Sequence, residues 1–479
     1  MISILMLLTA YPAHAHWKPS LFTALPFPLP SKMNYMKNNL FIFILFMAVS
    51  FTACDKYLDV KPKGLVIPEK LTDYEGMLNS PTMVQTFPIN LLDFADDVFN
   101  KIDAVNQSPT ANGYYWRPML TINEKASPDI WGPIYRCIYD ANVIIKGVPS
   151  ASDGTKEEKD KIIAEAKVIR ANNYLELLTV FAKSYDPAAA GTDPGMPMVT
   201  SIDVTDNIPA RSSLKATLDA IIADVKAAIE VLPTSNVNRY RVTKYSAAGL
   251  LSRIYLYMGD FPNAATYTDK ALEAPHALLD YNSYADDAQM PVYDLNPEVL
   301  WQRAAVSGSP IFMIYSDDLK SYFNSSDIRY SFLTVTNNDG LGRASLPGRY
   351  SFGIGFPEMY LTKAELLARN NHPNEAMDIV NMLRKKRIKT ADYTDQTAAS
   401  GEDALVKVFA ERRRELAFSG LRWFDMKRLD REGRMPEVKR INKENSQVEA
   451  TLAPHSPNYT FEIPVRVQMF NPTMELNHK

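Results

Sequence analysis

The sequence predicts a mostly α-helical protein built on tetratricopeptide-like pairs of helices. Long stretches repeat apolar residues every three to four positions, which is the period of an amphipathic helix. Two stretches, 243–275 and 357–388, each combine small residues, a central turn and a second helical pattern at the spacing of a tetratricopeptide repeat. The chain has 479 residues, 46% hydrophobic and 22% charged, which is enough for a large folded helical body.

The first 53 residues read as an upstream extension followed by an export signal. Residues 1–32 fit neither a folded element nor a complete signal, so we expect the working start at Met33 or Met36. Lys37 and the apolar run 40–49 form a conventional signal peptide. The segment from Leu40 to Ala53 has only about 14 residues, whereas a helix needs about 20 residues to span a bilayer.

Cys54 is the predicted lipid-attachment residue. Residues 51–54, Phe-Thr-Ala-Cys, look like a bacterial lipobox, in which cleavage precedes a cysteine that then carries lipid. The alternative is a plain secreted protein cleaved near Ala53. With Cys54 lipidated, Cys137 is the second of the 2 cysteines and no disulfide is available. Residues 54–70 then read as an extended tether.

Several further helices follow from the apolar period. We expect helices over 128–148, 157–183 and 214–232, a last long helix with its turn over 402–429, and an extended tail over 454–477. The two repeat-like units lie about 110 residues apart in the chain, so we do not expect them to be adjacent in a simple array. The run from Glu411 to Glu415 carries five consecutive charges and is typical of a solvated face or an ion-pair lattice.

Two loop-rich stretches hold the candidate binding residues. The predicted loop 106–117 ends in Gly113, Tyr114, Tyr115 and Trp116, and three consecutive aromatic residues cannot all face one core. With Asn112 and Arg117 beside them, they form a candidate ligand-binding cluster. The second stretch, 279–351, contributes Tyr322 and Phe323, next to Asn324. For any single aromatic residue the alternative is ordinary packing in the core.

Composition and motifs weigh against other classes of protein. The net charge of −3 provides no basic surface for nucleic acid. The chain lacks the H-E-x-x-H zinc motif, the G-x-S-x-G elbow and a phosphate loop. Acidic pairs such as Asp96-Asp97 or Asp317-Asp318 leave a glycan hydrolase as an open alternative. No cofactor or metal is indicated, although a structural calcium ion in the acidic loops stays open.

Several local patterns together resemble one family. YLDVKPKG follows Cys54, WGPIYRCIYDANVII occupies 131–145, ERRRELAFSGLRWFDMKR occupies 411–428, and FEIPVRVQMFNP lies near the end. In this order they resemble the SusD/RagB family over nearly the whole chain from Cys54. The most specific piece is 411–428, which we interpret as scaffold.

The resemblance implies a fold, a location and a role. The fold is SusD-like, mostly α, with long ligand-binding loops and minor β structure, divided here into a region 71–235 and a region 236–479. Such proteins are surface-exposed lipoproteins of the outer membrane. They are not enzymes, and they pass glycans or peptides to a SusC-like TonB-dependent transporter. The rival interpretation is a helical-repeat scaffold that binds only protein. Ligand-binding residues vary within the family, so none is carried over.

Overall fold

Helices dominate the structure and its strands are short, which confirms the predicted fold class. The computed structural model describes residues 68–203, 208–286, 289–292, 294–306, 313–345 and 351–478. The helices are α1 Leu71–Leu78, α2 Pro81–Val84, α3 Leu91–Phe94, α4 Pro109–Tyr114, α5 Trp131–Gly147, α6 Lys156–Phe181, α7 Leu214–Ile229, α8 Lys244–Met258, α9 Phe261–Leu272, α10 Asp317–Ser321, α11 Ile328–Leu333, α12 Phe356–Arg369, α13 Pro373–Arg384, α14 Gly401–Glu415, α15 Arg422–Arg431 and α16 Val465–Phe470.

Short strands frame the loop-rich parts of the chain. They are β1 Gln85–Phe87, β2 Val98–Phe99, β3 Pro194–Pro197, β4 Arg211–Ser213, β5 Val299–Trp301, β6 Ala304–Ala305, β7 Ile314–Tyr315, β8 Thr334–Thr336, β9 Gly342–Ala344, β10 Ile354–Gly355, β11 Val438–Ile441 and β12 Val448–Leu452. One sheet has four strands in the order β2-β7-β9-β8, all antiparallel, and β11 and β12 form a separate antiparallel hairpin. The sheet therefore joins the predicted loop region 279–351 to the N-terminal Val98 and Phe99.

The long helices pack against one another in chain order. Helix α5 packs on α6, α6 on α7, α7 on α8, α8 on α9, α9 on α12, and α12 on both α13 and α14. The expectation that the two repeat-like units are not adjacent is therefore wrong. The described residues between them form short helices, strands and loops, and α9 packs directly on α12.

The turn between α8 and α9 shows why the repeat-like sequence forms a tight pair. Gly259 ends α8 with a φ of +74°, a left-handed conformation that glycine adopts without strain. The Asp260 carboxylate then accepts a hydrogen bond from the backbone N–H of Asn263 at 3.2 Å and caps α9. Between the helices, the buried hydroxyl groups of Ser252 and Thr268 are 2.7 Å apart. Small side chains thus let the two backbones approach closely.

Three local predictions need correction. The predicted helix 402–429 is two helices, α14 and α15, because the chain turns at Phe418 (φ +58°) and Gly420 (φ +86°). A Cβ at Gly420 would lie 2.3 Å from the Phe87 ring, so the turn needs glycine for packing as well as for φ. The predicted loop 106–117 contains α4, and the predicted extended tail 454–477 contains α16.

The run of charges in α14 forms an ion-pair lattice, and much of it is buried. Glu411 is fully buried and its carboxylate contacts Arg329 at 2.7 Å, Arg414 at 2.5 Å and Arg384 at 3.5 Å. Burial would raise the pKa of Glu411, but these guanidinium groups outweigh it and lower the pKa to about 2. The Glu411 carboxylate therefore stays ionised at neutral pH.

Lys427 in α15 is a buried cation without a carboxylate. It is fully buried, and its Nζ donates to the carbonyl oxygens of Thr179 at 3.0 Å and Ala182 at 2.6 Å. Desolvation lowers the pKa of Lys427 to about 7. Both carbonyls have a second donor, Trp423 Nε1 at 3.1 Å and Thr460 Oγ1 at 3.3 Å respectively.

Replacing Lys427 by methionine should change how stability depends on pH. Between about pH 7, the folded-state pKa of Lys427, and the ordinary pKa of lysine, the Lys427 amine is mostly neutral in the folded chain and protonated in the unfolded chain. In this window the unfolded chain therefore binds about one proton more than the folded chain. The free energy of unfolding of the wild type, compared with a variant that lacks this amine, therefore rises with pH in this window. We expect the free energy of unfolding of the wild type, relative to Lys427→Met, to increase by about 2–3 kcal/mol from about pH 7.5 to about pH 9.5.

Urea titrations at both pH values measure this difference. The matched control is Lys363→Met, since Lys363 is 41% exposed and paired with Asp269 at the surface. A difference between wild type and Lys427→Met that does not vary with pH would contradict the prediction.

Candidate functional site

A cleft of about 920 Å³ opens between the sheet that contains β2, helices α10 and α14, and hairpin β11–β12. Its described lining is Asp96, Val98, Phe99, Tyr114, Ser316, Asp317, Asp318, Tyr322, Val406, Phe409, Ala410, Arg413, Arg422, Leu429, Gly433, Arg434, Met435, Pro436, Glu437, Val438, Lys439, Arg440, Ile441 and Lys443. Segments far apart in the chain thus meet at one cavity. Its volume lies within the usual range of roughly 300–1,000 Å³ for small-molecule sites.

Aromatic rings stand in the wall of the cleft, each with a cationic group over it. Phe99, Tyr322 and Phe409 are half-buried. Lys443 Nζ lies 4.4 Å from the Phe99 ring centroid, and the Arg413 guanidinium lies 4.9 Å from that of Tyr322. Phe409 has the Arg434 guanidinium at 6.0 Å. These contacts fix the rings at the border between the interior and solvent.

Buried ion pairs form the floor of the cleft. Arg422 contacts Asp96 at 2.6 Å, and Arg413 contacts Asp97 at 2.7 Å and Asp96 at 3.3 Å. Burial would raise the pKa of Asp96, but Arg422 and Arg413 outweigh it and hold the pKa well below its usual range. Burial raises the pKa of Asp97, and Arg413 offsets this effect only in part. The Asp96 carboxylate is therefore ionised, and its ion pairs with Arg422 and Arg413 stabilise the floor of the cleft.

Exposed charges form the rim, and they too are paired. Asp317 and Asp318, 77% and 66% exposed, begin α10 and contact Lys443 at 2.8 Å and Arg413 at 2.6 Å. The Ser316 hydroxyl caps this helix, accepting from the Leu319 N–H at 3.1 Å, and donates to the Asp96 carbonyl at 2.7 Å.

The remaining rim cations have carboxylate partners as well. Lys439 pairs with Glu437 at 2.8 Å. Arg434 pairs with Glu402 at 2.6 Å and with Glu432 at 3.2 Å.

The predicted cluster at 112–117 is mostly interior, and none of its three aromatic residues is exposed to solvent. The expectation that at least one of them faces solvent or a ligand stays open only for Tyr114, which borders the cleft. Trp116 is 1% exposed and donates from Nε1 to the Phe94 carbonyl at 2.8 Å. Tyr115 is 6% exposed, and its hydroxyl lies 2.8 Å from Glu449 Oε2. Tyr114 is 2% exposed, yet it borders the cleft. Helix α4 makes this burial geometrically possible because it turns the chain within six residues.

The polar neighbours of that cluster also serve internal structure. Asn112 is buried and donates to the Leu120 carbonyl at 2.9 Å. Arg117 is half-buried, and it donates to Asn112 Oδ1 at 2.9 Å and to the Ala104 carbonyl. Neither residue lines the cleft.

Arg440 explains why the aromatic cluster is buried. Its guanidinium, 3% exposed, lies 4.0 Å from the Tyr114 ring centroid and 4.2 Å from that of Trp116. It donates to four backbone carbonyls, those of Tyr114, Val98, Asp93 and Ala95, at 2.8–3.0 Å. One arginine from β11 thus anchors the hairpin against the N-terminal region and holds the cleft wall in place.

The second predicted group is divided by the structure. Tyr322 lines the cleft, whereas Phe323 packs half-buried against Tyr315 and Tyr330, with ring centroids 6.1 and 5.6 Å apart. Asn324 is exposed, and its Oδ1 accepts from the Ser326 N–H. Cys54 lies outside the described residues.

Sequence reasoning missed the hairpin wall and Phe99. The signal that could have found the hairpin is the alternation of apolar and polar residues at 448–452, the strand β12 that pairs with β11. Nothing local marks Phe99 or Phe409 as cleft residues, because they reach the cleft only through the packing of β2 and α14.

In the described part of the chain, no group of three or more His, Cys, Asp or Glu side chains is arranged to hold a metal ion. None of the helices described is both long and apolar enough to cross a membrane.

Cys137 is buried, and its burial raises the pKa of the thiol to about 12.

Family models match most of the chain. A family described as starch-binding and associating with the outer membrane matches residues 56–256. The SusD family matches residues 282–470. The two matches follow one another without overlap.

Relatives and solved structures agree with these models. SusD-like protein P38 of Formosa agariphila is 20% identical over 83% of this chain and 93% of its own length. SusD-like protein P25 of the same organism is 22% identical over 56% of this chain, and the match spans only 51% of that relative. A SusD superfamily protein from Bacteroides thetaiotaomicron has a TM-score of 0.71 at 19% identity, over 86% of this chain and 100% of that one.

A SusD-like carbohydrate-binding protein from Bacteroides vulgatus has a TM-score of 0.66 at 19% identity, over 85% of this chain and 97% of that one. At these identities the structures establish a shared fold. Together with the two family models, they show that this chain belongs to the SusD/RagB family.

Proposed function

We propose that this protein is a cell-surface lipoprotein that binds oligosaccharides and delivers them, without catalysis, to a SusC-like TonB-dependent transporter of the outer membrane. The observation that carries the proposal is the cleft of about 920 Å³, in which aromatic rings stand beside charged side chains held in fixed positions. Family membership supports it, since one matching family is described as starch-binding and associating with the outer membrane.

The chemistry of the cleft suits a sugar. A pyranose ring has an apolar C–H face that stacks on an aromatic ring, and a rim of hydroxyl groups that donate and accept hydrogen bonds. Tyr322 and Phe99 supply half-buried rings, and Asp317 and Asp318 supply exposed acceptors next to them. Val406 and Ile441, 58% and 46% exposed, add apolar surface at the same mouth. Peptide is the second ligand class that this lining could accept.

The absence of catalysis is part of the proposal. A glycoside hydrolase needs an acid and a base or nucleophile on opposite sides of the scissile bond. Asp317 and Asp318 are consecutive residues of one short helix, and Asp96 is fixed as an anion by Arg422. A protein that released sugars from a polysaccharide on its own would refute this part of the proposal.

Delivery to a transporter requires a position at the membrane. We propose that Cys54 carries lipid and that residues 54–70 tether the body to the outer membrane. The lipid contributes about 0.8 kcal/mol per buried methylene, so several acyl chains hold the protein firmly. The rival role, a helical-repeat scaffold that binds only protein, predicts transporter binding with no saccharide or peptide binding.

Replacing Tyr322 by alanine should weaken saccharide binding about tenfold. The ring is half-buried in the cleft wall, and an aromatic stacking contact contributes about 1 kcal/mol beyond its buried area. Isothermal calorimetry against a panel of soluble oligosaccharides and peptides measures the effect. Unchanged affinity in Tyr322→Ala would contradict a binding role for this wall.

The matched control is Phe470→Ala, since Phe470 is 72% exposed and lies outside the cleft. Its affinity should equal that of the wild type. Trp116→Ala is a poor probe of binding, because removing a buried Trp opens a cavity and costs about 3–5 kcal/mol of stability.

Replacing Cys54 by serine should release the protein from the outer membrane, because serine cannot form the thioether that carries the lipid. Membrane fractionation of the cells checks this outcome. Cys137→Ala is the control, since Cys137 is buried in the folded body and should not affect anchoring. A Cys54→Ser protein that stays with the membrane would refute the lipid anchor.

A further inference from the structure

The cationic side chains around the cleft all have partners within the protein. Each of the lining cations Arg413, Arg422, Arg434, Lys439 and Lys443 lies in an ion pair with a carboxylate. The sixth lining cation, Arg440, is covered by four backbone carbonyls and two aromatic rings. Every cation in the described lining is therefore already engaged.

Because these cations are already paired, the cleft is poorly suited to an anionic ligand. Recognition of a uronate or sulfate group in proteins relies on an arginine or lysine free to pair with it. Here such a group would have to displace an existing carboxylate partner. It would also approach Asp317 and Asp318, which are 77% and 66% exposed at the rim. Like charges at close range oppose binding.

One corner of the cleft places a hydrogen-bond acceptor beside an aromatic ring. Arg413 lies over the Tyr322 ring and holds the Asp318 carboxylate by its Nη1 at 2.6 Å. Its Nη2 is buried 3.3 Å from the Asp96 carboxylate, so the guanidinium is fixed from the interior. The Asp318 carboxylate is 66% exposed next to the ring, where it can accept hydrogen bonds from the hydroxyl groups of a stacked sugar.

We infer that the cleft selects uncharged oligosaccharides over acidic ones and that Asp318 is a specificity-determining residue. Its carboxylate, oriented by Arg413, accepts hydrogen bonds from sugar hydroxyl groups and repels anionic substituents. This inference rests on the proposed function and narrows the class of its ligand.

The test compares neutral and acidic oligosaccharides of equal length by calorimetry. The neutral probes are gluco-, xylo- and manno-oligosaccharides, and the acidic probes are oligogalacturonates. We expect the best neutral probe to bind at least about tenfold more tightly than any acidic one. Asp318→Ala should weaken neutral binding about tenfold, because it removes a hydrogen bond to a charged group.

Asp318→Asn separates the charge from the hydrogen bond. Its amide oxygen still accepts from Arg413 and from hydroxyl groups, so neutral affinity should stay within about threefold. Acidic affinity should rise about threefold at low salt, and the rise should shrink as salt screens the charge. The matched control is Asp269→Asn, an aspartate 60% exposed and ion-paired on α9 outside the cleft. Melting temperatures verify that the variants are folded.

The outcomes separate the two proposals. Tight binding of acidic probes by the wild type, or neutral affinity unchanged in Asp318→Ala, would overturn the inference while leaving saccharide binding intact. If no saccharide of either class binds, the proposed function fails and the inference fails with it.

Discussion

A lattice of buried arginine–carboxylate pairs is the interaction on which the rest of this structure depends. It centres on α14 and α15 and reaches residues as distant in the chain as Asp96 and Glu298. Its arginines are Arg329, Arg387, Arg412, Arg413, Arg422 and Arg428, and their buried carboxylate partners are Asp96, Asp97, Glu298, Asp327, Glu365, Glu411, Glu415 and Asp425. Removing one partner of a buried pair costs about 3–5 kcal/mol, because it leaves the other charge uncompensated. Segments distant in sequence are therefore held to one arrangement.

The lattice also builds the cleft. Arg413 is part of the buried scaffold through Asp97 and part of the cleft through Asp318 and Tyr322. Arg440 acts in the same way from the hairpin, since it satisfies four carbonyls of the N-terminal region while supporting Tyr114. The walls thus come from loops and short strands, but their positions are set by buried polar contacts. A binding site of this construction can be preorganised without long secondary structure.

The helices that form the scaffold and the side chains suited to binding a ligand lie in different parts of the structure. The helical array from α5 to α14 buries apolar and small residues, and it offers few groups to a ligand. The groups suited to a sugar lie at the edge of the array, where α10, α14 and the hairpin meet. Charge compensation at this edge leaves aromatic surface and hydroxyl-binding groups as the distinguishing features of the cleft, which is why we favour an uncharged glycan.

Helix positions and the fold class could be read from the sequence, because the apolar period and the Gly259-Asp260 turn are local properties that tertiary packing reinforces. The sequence also determined the family through its motifs, and it left an ion-pair lattice at 411–415 as one of two interpretations, the other being a solvated face. It predicted Tyr322 and Tyr114 as candidates, and both border the cleft. Tertiary structure alone decided that Trp116 is buried, since the residue that covers it, Arg440, is distant in the chain. Tertiary structure also decided which charged side chains form ion pairs with one another. Burial and ion pairing depend on contacts between residues up to hundreds of positions apart, and no local pattern encodes them.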